Sequence, residues 1–323
     1  MSTSPPPVTD GHFEFVAPTG ERCKTWYKIV GDVRSTTSPP LITLHGGPGS
    51  GHDYLSPLTD LYENYKIPVI FYDQVGCGLS THFRDKKEDG SFWTFELFLK
   101  ELDSLIHHLG LLEYHILGQS WGGMLGAEYA ARQPPGLQKL IIASGPASVP
   151  LWIEGTKELF AQLPPDVRKT LEDSDHRGDH ESDEYEKATA AYYCRHFCRL
   201  DPWPADVLAS FQKLSDDRTA YLTMYNGTNR QGHLEFIITG TMKDWEGWRF
   251  GHNIKSETLL LNGRHDEMVD ACILPWFQTI PKVKWVTLEN ASHMGQFEDR
   301  GRFISLCGSF LLSTTIKTKK TLD

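Results

Sequence analysis

Short apolar runs alternate with longer amphipathic segments along most of the chain. The apolar runs fit buried strands and lie at residues 41–44, 69–72, 114–117, 140–143, 258–261 and 283–288. Such nearly continuous hydrophobic segments are typical of parallel strands that are covered on both faces. Residues 12–31 instead alternate between apolar and polar positions, which predicts an opening β-hairpin.

The segment before the third apolar run has the periodicity of a helix. Phe98, Leu102 and Leu105 fall on one stripe at helical spacing, and Gly110 supplies a stop signal. We therefore predict a helix over residues 94–109. Comparable patterns predict two further helices, at residues 124–132 and 299–312. Strands that alternate with helices in this way predict an α/β fold built on a mostly parallel, doubly wound sheet.

The alternation stops between residues 146 and 255, where the chain becomes helical, irregular and rich in Trp, Tyr and charged residues. We interpret this segment as a helical cap inserted into the α/β unit. The chain is thereby divided into core residues 1–145, cap residues 146–255 and core residues 256–323. Within the cap, residues 172–187 carry many acidic and few apolar residues, so we expect a solvated mobile loop there.

Composition disfavours several classes of function. The formal net charge of −10 argues against nucleic acid as a partner. No apolar run approaches the length of a membrane span, and residues 1–11 contain no hydrophobic signal-peptide core. The six cysteines are scattered and do not form two ligand pairs at zinc spacing, so we expect reduced thiols and no metal. These features predict a cytoplasmic protein that binds neither nucleic acid nor membrane.

Residues 118–122 read Gly-Gln-Ser-Trp-Gly and match the G-x-S-x-G pattern of a nucleophile elbow. In that motif a sharp turn between a strand and a helix exposes the serine hydroxyl, and the flanking glycines avoid collisions across the turn. An apolar run precedes Ser120 and a predicted helix follows it, as the motif requires. Ser120 is therefore the candidate nucleophile. Because a five-residue pattern also occurs by chance, the assignment depends on partners elsewhere in the chain.

A second glycine-rich segment follows the first apolar run. Residues 45–49 read His-Gly-Gly-Pro-Gly, and glycines at a strand end allow backbone N–H groups to face an open space, as an oxyanion hole requires. We expect Gly47 to supply one N–H donor and Trp121, next to Ser120, to supply the other. The competing interpretation, a phosphate-binding loop, lacks the Gly-Lys-Ser/Thr sequence of that motif.

Two later strand ends carry the remaining candidate catalytic residues. Asp266 follows the run at residues 258–261, and His293 follows the run at 283–288, so the chain order is Ser, Asp, His. We expect His293 to accept the Ser120 proton, while Asp266 orients the imidazole and stabilises its protonated form. A lone histidine among 14 is weak support, but a strand-end position with an aspartate at the preceding strand end strengthens it.

With these motifs, the chain resembles the α/β-hydrolases of the proline iminopeptidase (prolyl aminopeptidase) group, and within it the tricorn-interacting aminopeptidase and amino-acid amidase branch. The similarity extends over about residues 40–312. Its most specific segments are residues 45–49, 73–80 (Asp-Gln-Val-Gly-Cys-Gly-Leu-Ser), 118–123, 238–245 (Ile-Thr-Gly-Thr-Met-Lys-Asp-Trp) and 298–300 (Glu-Asp-Arg). The resemblance implies an α/β-hydrolase fold with an inserted helical cap.

The resemblance also implies a binding site for the free α-ammonium group of a substrate. In this family two glutamates hold that group, one in the cap and one directly after the catalytic aspartate. The matching positions are Glu235 and Glu267, and a buried carboxylate pair is a suitable partner for a cationic amine. The alternative for Glu267 is a solvated loop residue. Two departures leave specificity open: a longer segment at residues 226–234, and Val75 where the family usually has arginine.

The residues and the resemblance together imply a serine hydrolase that releases an unblocked N-terminal residue, with proline as the first candidate, through an acyl-enzyme on Ser120. Its expected substrate is a small peptide or an amino-acid amide, and no metal or cofactor is required. One alternative is an amidase or esterase acting on a small amino-acid-derived or secondary metabolite. A non-catalytic binding protein on the same fold is disfavoured because the whole candidate triad is present. A metallopeptidase is disfavoured because the chain has no H-E-x-x-H segment.

Overall fold

An eight-stranded sheet forms the centre of the computed structural model, which describes residues 5–34, 38–180, 182–226 and 237–313. In chain order the strands are β1 (Val8–Val16), β2 (Arg22–Val30), β3 (Leu41–Leu44), β4 (Val69–Tyr72), β5 (Tyr114–Gln119), β6 (Leu137–Ala143), β7 (Glu257–Gly263) and β8 (Val283–Leu288). Their spatial order is β1-β2-β4-β3-β5-β6-β7-β8. The pairs β1–β2 and β2–β4 are antiparallel, and all the other pairs are parallel.

The predicted hairpin and the predicted buried strands are confirmed. β1 and β2 form the hairpin, with Val8 opposite Val30. β3 and β4 are buried at every position, as expected for strands covered on both faces. Three strands exceed their predicted bounds, since β5 continues to Gln119, β6 begins at Leu137 and β7 spans Glu257–Gly263. Gln119 pairs with Ala143 because ladder hydrogen bonds do not require apolar side chains.

Helices cover both faces of this sheet. In chain order they are α1 (Asp60–Tyr65), α2 (Phe95–Leu109), α3 (Trp121–Ala131), α4 (Val149–Ala161), α5 (Pro165–Arg177), α6 (Asp183–His196), α7 (Ala205–Asp216), α8 (Thr219–Tyr221), α9 (Asp270–Thr279), α10 (Gly295–Glu298) and α11 (Arg300–Leu312). Short 3₁₀ helices occupy Asp53–Thr59, Arg84–Lys86 and Gly247–Asn253, and a π-helical turn occupies Leu222–Asn226.

The three helices predicted from periodicity are confirmed as α2, α3 and α11. α2 begins after Thr94, whose side chain accepts a hydrogen bond from the Leu97 N–H, and ends at Gly110 in a left-handed conformation. α3 begins at Trp121 rather than at residue 124, because the turn at Ser120 leads directly into the helix.

The sheet has a hydrophobic core on each face, because successive strand residues point to opposite sides. Ile42 packs in the cluster that includes Phe98 of α2 and Met124 of α3. Its neighbour Leu41 packs in the cluster that includes Phe303 of α11. The predicted α/β fold with a doubly wound sheet is therefore confirmed.

Helices α4 to α8 lie between β6 and β7 in the chain, in agreement with the predicted helical character of residues 146–255. α5 and α6 pack together through a separate small cluster that includes Leu171, Tyr185 and Tyr192. The division into a core at residues 1–145 and 256–323 with a cap at 146–255 stays a prediction. Within the described ranges, no helix combines the length and the apolar content needed to cross a bilayer.

The prediction of a mobile loop at residues 172–187 is wrong. α5 and α6 occupy most of this segment. Its many acidic residues resemble a loop in composition, but Leu171 and Tyr185 provide the apolar contacts that hold the two helices. Asp183 and Glu184 lie in the first turn of α6, where negative charge interacts favourably with the positive end of the helix.

Candidate active site

The predicted nucleophile elbow lies between β5 and α3. Ser120 has φ 57° and ψ −124°, a strained backbone conformation for a residue with a side chain. A Cβ atom at Gly118 would lie 2.0 Å from the Gly122 carbonyl oxygen, and one at Gly122 would lie 2.0 Å from the Leu44 carbonyl oxygen. Because only glycine fits at either position, these residues permit the tight turn that presents Ser120.

The glycine loop at residues 45–49 runs beside this elbow. The Gly46 N–H donates a hydrogen bond to the Tyr54 hydroxyl at 2.6 Å, so it is committed to a protein partner. The next residue, Gly47, has φ 111°, in the left-handed region that favours glycine. This leaves Gly47 as the candidate N–H donor toward the cavity.

Gln74 connects the glycine loop to the elbow. Its side-chain amide donates to the His45 carbonyl oxygen at 3.1 Å, and its Oε1 accepts from the Trp121 indole N–H at 2.9 Å. Its backbone N–H donates to His45 Nε2 at 2.9 Å. Because Gln74 is fully buried, these contacts fix the segment carrying Gly47 relative to Trp121. Residues 73–80 stood out in the sequence as a family motif, but no pattern in them indicated this role.

The two other predicted catalytic residues contact each other. His293 Nδ1 lies 2.8 Å from Asp266 Oδ1, and the Met268 N–H donates to the same oxygen at 2.9 Å. The carboxylate favours the tautomer with a proton on His293 Nδ1, which leaves Nε2 as a base. Burial opposes protonation of His293, but the charge and the hydrogen bond of Asp266 outweigh burial and raise the pKa of the imidazole above its ordinary value.

Glu267, one of the two predicted amine-binding residues, lies beside His293. Its Oε1 is 3.8 Å from His293 Nε2. The residue is 8% exposed, so it is not the solvated loop residue of the alternative interpretation. Burial raises the pKa of Glu267 to about 7, although the charge of His293 acts to lower it. Glu235, the second predicted amine-binding residue, lies outside the described residues.

A cavity of about 190 Å³ joins these groups. Gly47, Ser120, Glu267 and His293 line one side of it. The other side comes from α4, α6, α7 and α8, here called the roof helices. Their lining side chains are mainly aromatic or aliphatic: Trp152, Tyr193, Val207, Phe211, Leu214 and Tyr221.

The predicted site residues that the structure describes lie together. Asp266 contacts His293, and Trp121 is the first residue of α3, next to Ser120. Sequence reasoning did not identify the individual side chains of the roof helices. The one available signal was the enrichment of Trp and Tyr in residues 146–255, because aromatic residues that line a cavity follow no fixed spacing.

A buried polar cluster lies behind the glycine loop. One ligand-type atom from each of His45, Asp73 and Cys77 falls within 4.8 Å of the others, a spacing that would suit a metal ion. These groups already have protein partners, since the Cys77 thiol donates to the Gln74 carbonyl oxygen at 3.2 Å and Asp73 lies 2.7 Å from His52 Nδ1. Burial lowers the pKa of His45 to about 4, which keeps its ring neutral. The cluster fits a structural hydrogen-bond network better than a metal centre.

Comparison with known proteins identifies the family. Residues 39–300 match the alpha/beta hydrolase fold family. The chain is 35% identical to the proline iminopeptidase of Saccharolobus solfataricus, over 88% of this chain and 87% of that protein. It is 34% identical to the proline iminopeptidase of Thermoplasma volcanium, over 84% of this chain and 88% of that protein.

Solved structures agree with this assignment. The crystal structure of VinJ superposes with a TM-score of 0.87 and 42% identity, covering 95% of this chain and 99% of that one. The crystal structure of proline iminopeptidase from Mycobacterium smegmatis superposes with a TM-score of 0.81 and 37% identity, covering 93% and 97%. The chain therefore belongs to the proline iminopeptidase family of α/β hydrolases.

Proposed function

We propose that the protein is a serine aminopeptidase that releases an unblocked N-terminal residue, with proline as the first candidate, from a small peptide or an amino-acid amide. The observation that carries this proposal is the presence of Ser120, His293 and Glu267 around one cavity, in a chain whose relatives are named proline iminopeptidases. The same names favour an aminopeptidase over an amidase or esterase for a small metabolite.

In the proposed mechanism, Ser120 is the nucleophile and His293 the general base. His293 Nε2 takes the Ser120 Oγ proton as Oγ attacks the carbonyl carbon of the first residue. The protonated imidazole then gives this proton to the leaving nitrogen as the C–N bond breaks. Water then attacks the resulting ester while His293 takes its proton, and the imidazolium returns that proton to Ser120 Oγ as the first residue is released. The 2.8 Å contact with Asp266 supports this role, because the carboxylate stabilises the imidazolium.

The proposed oxyanion donors are the backbone N–H groups of Gly47 and Trp121. Two observations support them. The neighbouring Gly46 N–H is already bonded to Tyr54, and Trp121 is the first residue of α3, where an N–H has no intrahelical acceptor. Negative charge on the substrate oxygen is also favoured near the positive end of a helix.

Glu267 is the proposed partner of the substrate's ammonium group, with Glu235 as the second. Burial of Glu267 supports this role, because a desolvated carboxylate with a pKa near 7 gains most from a cationic partner. A fixed distance between the amine and the scissile carbonyl would limit cleavage to the first residue. Endopeptidase activity should therefore be absent.

We also propose a cytoplasmic location. All six cysteines are free thiols, four of them buried in the two main hydrophobic clusters, which suits a reducing compartment.

A panel of chromogenic aminoacyl amides tests the proposed activity. Prolyl, alanyl and leucyl amides are each assayed with a free and with an acetylated amine, and Ser120→Ala serves as the control for contaminating peptidases. We expect hydrolysis of the free amides, with kcat/KM at least roughly tenfold lower after acetylation. Equal turnover of free and acetylated substrates would contradict amine recognition. It would favour the alternative, an amidase or esterase that acts on a small metabolite.

A further inference from the structure

One buried tyrosine lies between separate parts of the candidate active site. Tyr54 belongs to the 3₁₀ helix Asp53–Thr59 and is 2% exposed. Its hydroxyl accepts a hydrogen bond from the Gly46 N–H at 2.6 Å and donates one to Gln119 Oε1 at 2.7 Å. The hydroxyl therefore joins the glycine loop to the residue that precedes Ser120.

Gln119 continues this connection to the histidine. Its side-chain amide donates to the backbone carbonyl oxygen of His293 at 3.2 Å. Both the oxygen and the nitrogen of the Gln119 side-chain amide are thus hydrogen-bonded, and the residue is 2% exposed. An unbroken chain of hydrogen bonds runs from Gly46 through Tyr54 and Gln119 to His293.

The backbone of Tyr54 is itself fixed on two sides. Its N–H donates to Ser210 Oγ of α7 at 3.1 Å, and its carbonyl oxygen accepts from Gln296 Nε2 at 3.2 Å. Gln296 lies in α10, shortly after His293. Burial raises the pKa of Tyr54 above its ordinary value, so the hydroxyl keeps the proton that it donates.

The packing around Gly46 supports the same connection. A Cβ atom at Gly46 would lie 3.0 Å from the Tyr54 hydroxyl oxygen, 3.2 Å from Gln119 Oε1 and 3.2 Å from Ser120 Cβ. The glycine loop therefore passes close to Ser120 and to both members of the chain, with no free space for a side chain at this point. A small shift of Tyr54 or Gln119 would move this loop relative to Ser120.

We propose that Tyr54 and Gln119 are positioning residues, which hold the glycine loop and His293 at the separation from Ser120 that acylation requires. The inference rests on the proposed function, since it assigns these residues to the serine mechanism. Their effect should be large because catalytic groups misplaced by about 1 Å can lower the rate by roughly 100-fold. Neither residue needs to touch the substrate's reacting atoms.

Tyr54→Phe tests this role, because it removes the hydroxyl and keeps the ring. We expect kcat on a prolyl chromogenic amide to fall by roughly 10- to 100-fold, with KM within about twofold of the original protein. The matched control is Tyr72→Phe, since Tyr72 is fully buried and its hydroxyl has no hydrogen-bond partner among the described residues. Tyr72→Phe should keep kcat within about twofold.

A double-mutant cycle tests whether the two side chains act as one chain. Gln119→Met keeps the approximate length of the side chain and removes both hydrogen-bonding ends. If Tyr54 and Gln119 act through their mutual bond, the double variant should lose little more kcat than the more damaging single variant. If the two single losses in kcat multiply in the double variant, the side chains act independently and the proposed hydrogen-bond chain is wrong. If Tyr54→Phe does not fold, Gln119→Met alone must still lower kcat at constant KM, and a wild-type kcat there would overturn the proposal.

The thermal midpoint separates positioning from a merely structural role. Variants that unfold at lower temperature but keep the original kcat when folded would overturn the positioning role. Failure of the proposed function has a different signature, namely that Ser120→Ala stays active. If Ser120→Ala is inactive and Tyr54→Phe behaves like Tyr72→Phe, the inference about Tyr54 alone is wrong.

Discussion

The two sides of the cavity are stabilised in different ways. The site floor, formed by the segments that follow β3, β5, β7 and β8, is fixed by short buried hydrogen bonds such as that between His293 and Asp266. The roof helices present apolar and aromatic side chains to the cavity. Ion pairs connect α7 to the core, where Lys213 Nζ lies 2.6 Å from Asp53 Oδ2. Just beyond α7, Asp217 Oδ2 lies 2.6 Å from His82 Nδ1.

This difference indicates which side determines the reaction and which determines the substrate. Buried hydrogen bonds hold atoms at defined distances, as bond-making steps require. Apolar walls bind by contact area and tolerate small shifts, so they influence which groups fit. Changes in the catalytic residues of the floor should therefore act mainly on kcat, and changes in the roof helices mainly on KM. Glu267 is the exception, because it lies in the floor and is the proposed partner of the substrate's amine.

The largest expected effect comes from the proposed nucleophile in the floor. Ser120→Ala should lower kcat/KM on a prolyl chromogenic amide by roughly 10⁴-fold or more, because the members of a triad act as a unit. Ser215→Ala removes a hydroxyl from the α7 side of the same cavity and is the matched control, expected within about threefold of the original protein. A similar loss in both variants would contradict the contrast between the two sides.

The pH dependence of kcat/KM should be steep on the acid side. His293 must be unprotonated to act as base, and its pKa is raised above the ordinary value by Asp266 against the effect of burial. Glu267, whose pKa burial raises to about 7, must be ionised to bind an ammonium group. Both groups gain a proton as pH falls, so log kcat/KM should approach a slope of about two at low pH. Glu267→Gln should reduce that slope to about one, and a slope unchanged by this substitution would contradict the assignment.

At neutral pH, Glu267→Gln should have a smaller effect than loss of the nucleophile. Removing one partner of a desolvated charge pair costs about 2–5 kcal/mol, so kcat/KM for a free-amine substrate should fall at least roughly tenfold. The acetylated substrate should lose much less activity, since it has no charge for Glu267 to bind. Glu289→Gln, which changes an exposed carboxylate, is the control and should behave like the original protein. Equal losses on both substrates would indicate a role other than amine binding.

The smallest expected effect lies in the roof. Lys213→Met removes the contacts with Asp53 and with Asp73, and Asp73 keeps its contact with His52. Partly exposed ion pairs contribute up to about 1 kcal/mol, so KM should rise no more than about fivefold with kcat nearly constant. Lys169→Met, on the solvent face of α5, should change neither constant. A fall in kcat at constant KM would show that α7 controls the chemical step.

The floor could be predicted from the sequence because each part of it is local. Each of its parts follows an apolar run directly or within five residues: the Gly-Gln-Ser-Trp-Gly segment at residues 118–122, the glycine loop at residues 45–49, Asp266 and His293. Parallel strands bring their carboxyl ends to one edge of the sheet, so strand-end residues meet without any further information.

The roof and the supporting contacts could not be predicted in the same way. Acidic composition concealed the helical structure of residues 172–187, in the roof helix α6 and its neighbour α5, which are held by a few apolar side chains such as Leu171. The contacts of Tyr54 and Gln74 join residues far apart in the chain, and each depends on the final position of several elements. No regular spacing of residues in the sequence predicts such contacts.

The central claim, that Ser120 reacts with substrates selected by their free amine, can be tested in one competition measurement. A small fluorophosphonate is reacted with the protein. Mass spectrometry identifies the modified peptide and measures the rate at which it forms. We expect the adduct on Ser120, with its formation slowed by prolyl amide and not by the same concentration of N-acetylprolyl amide. An adduct on another serine, or equal protection by the two amides, would contradict the account.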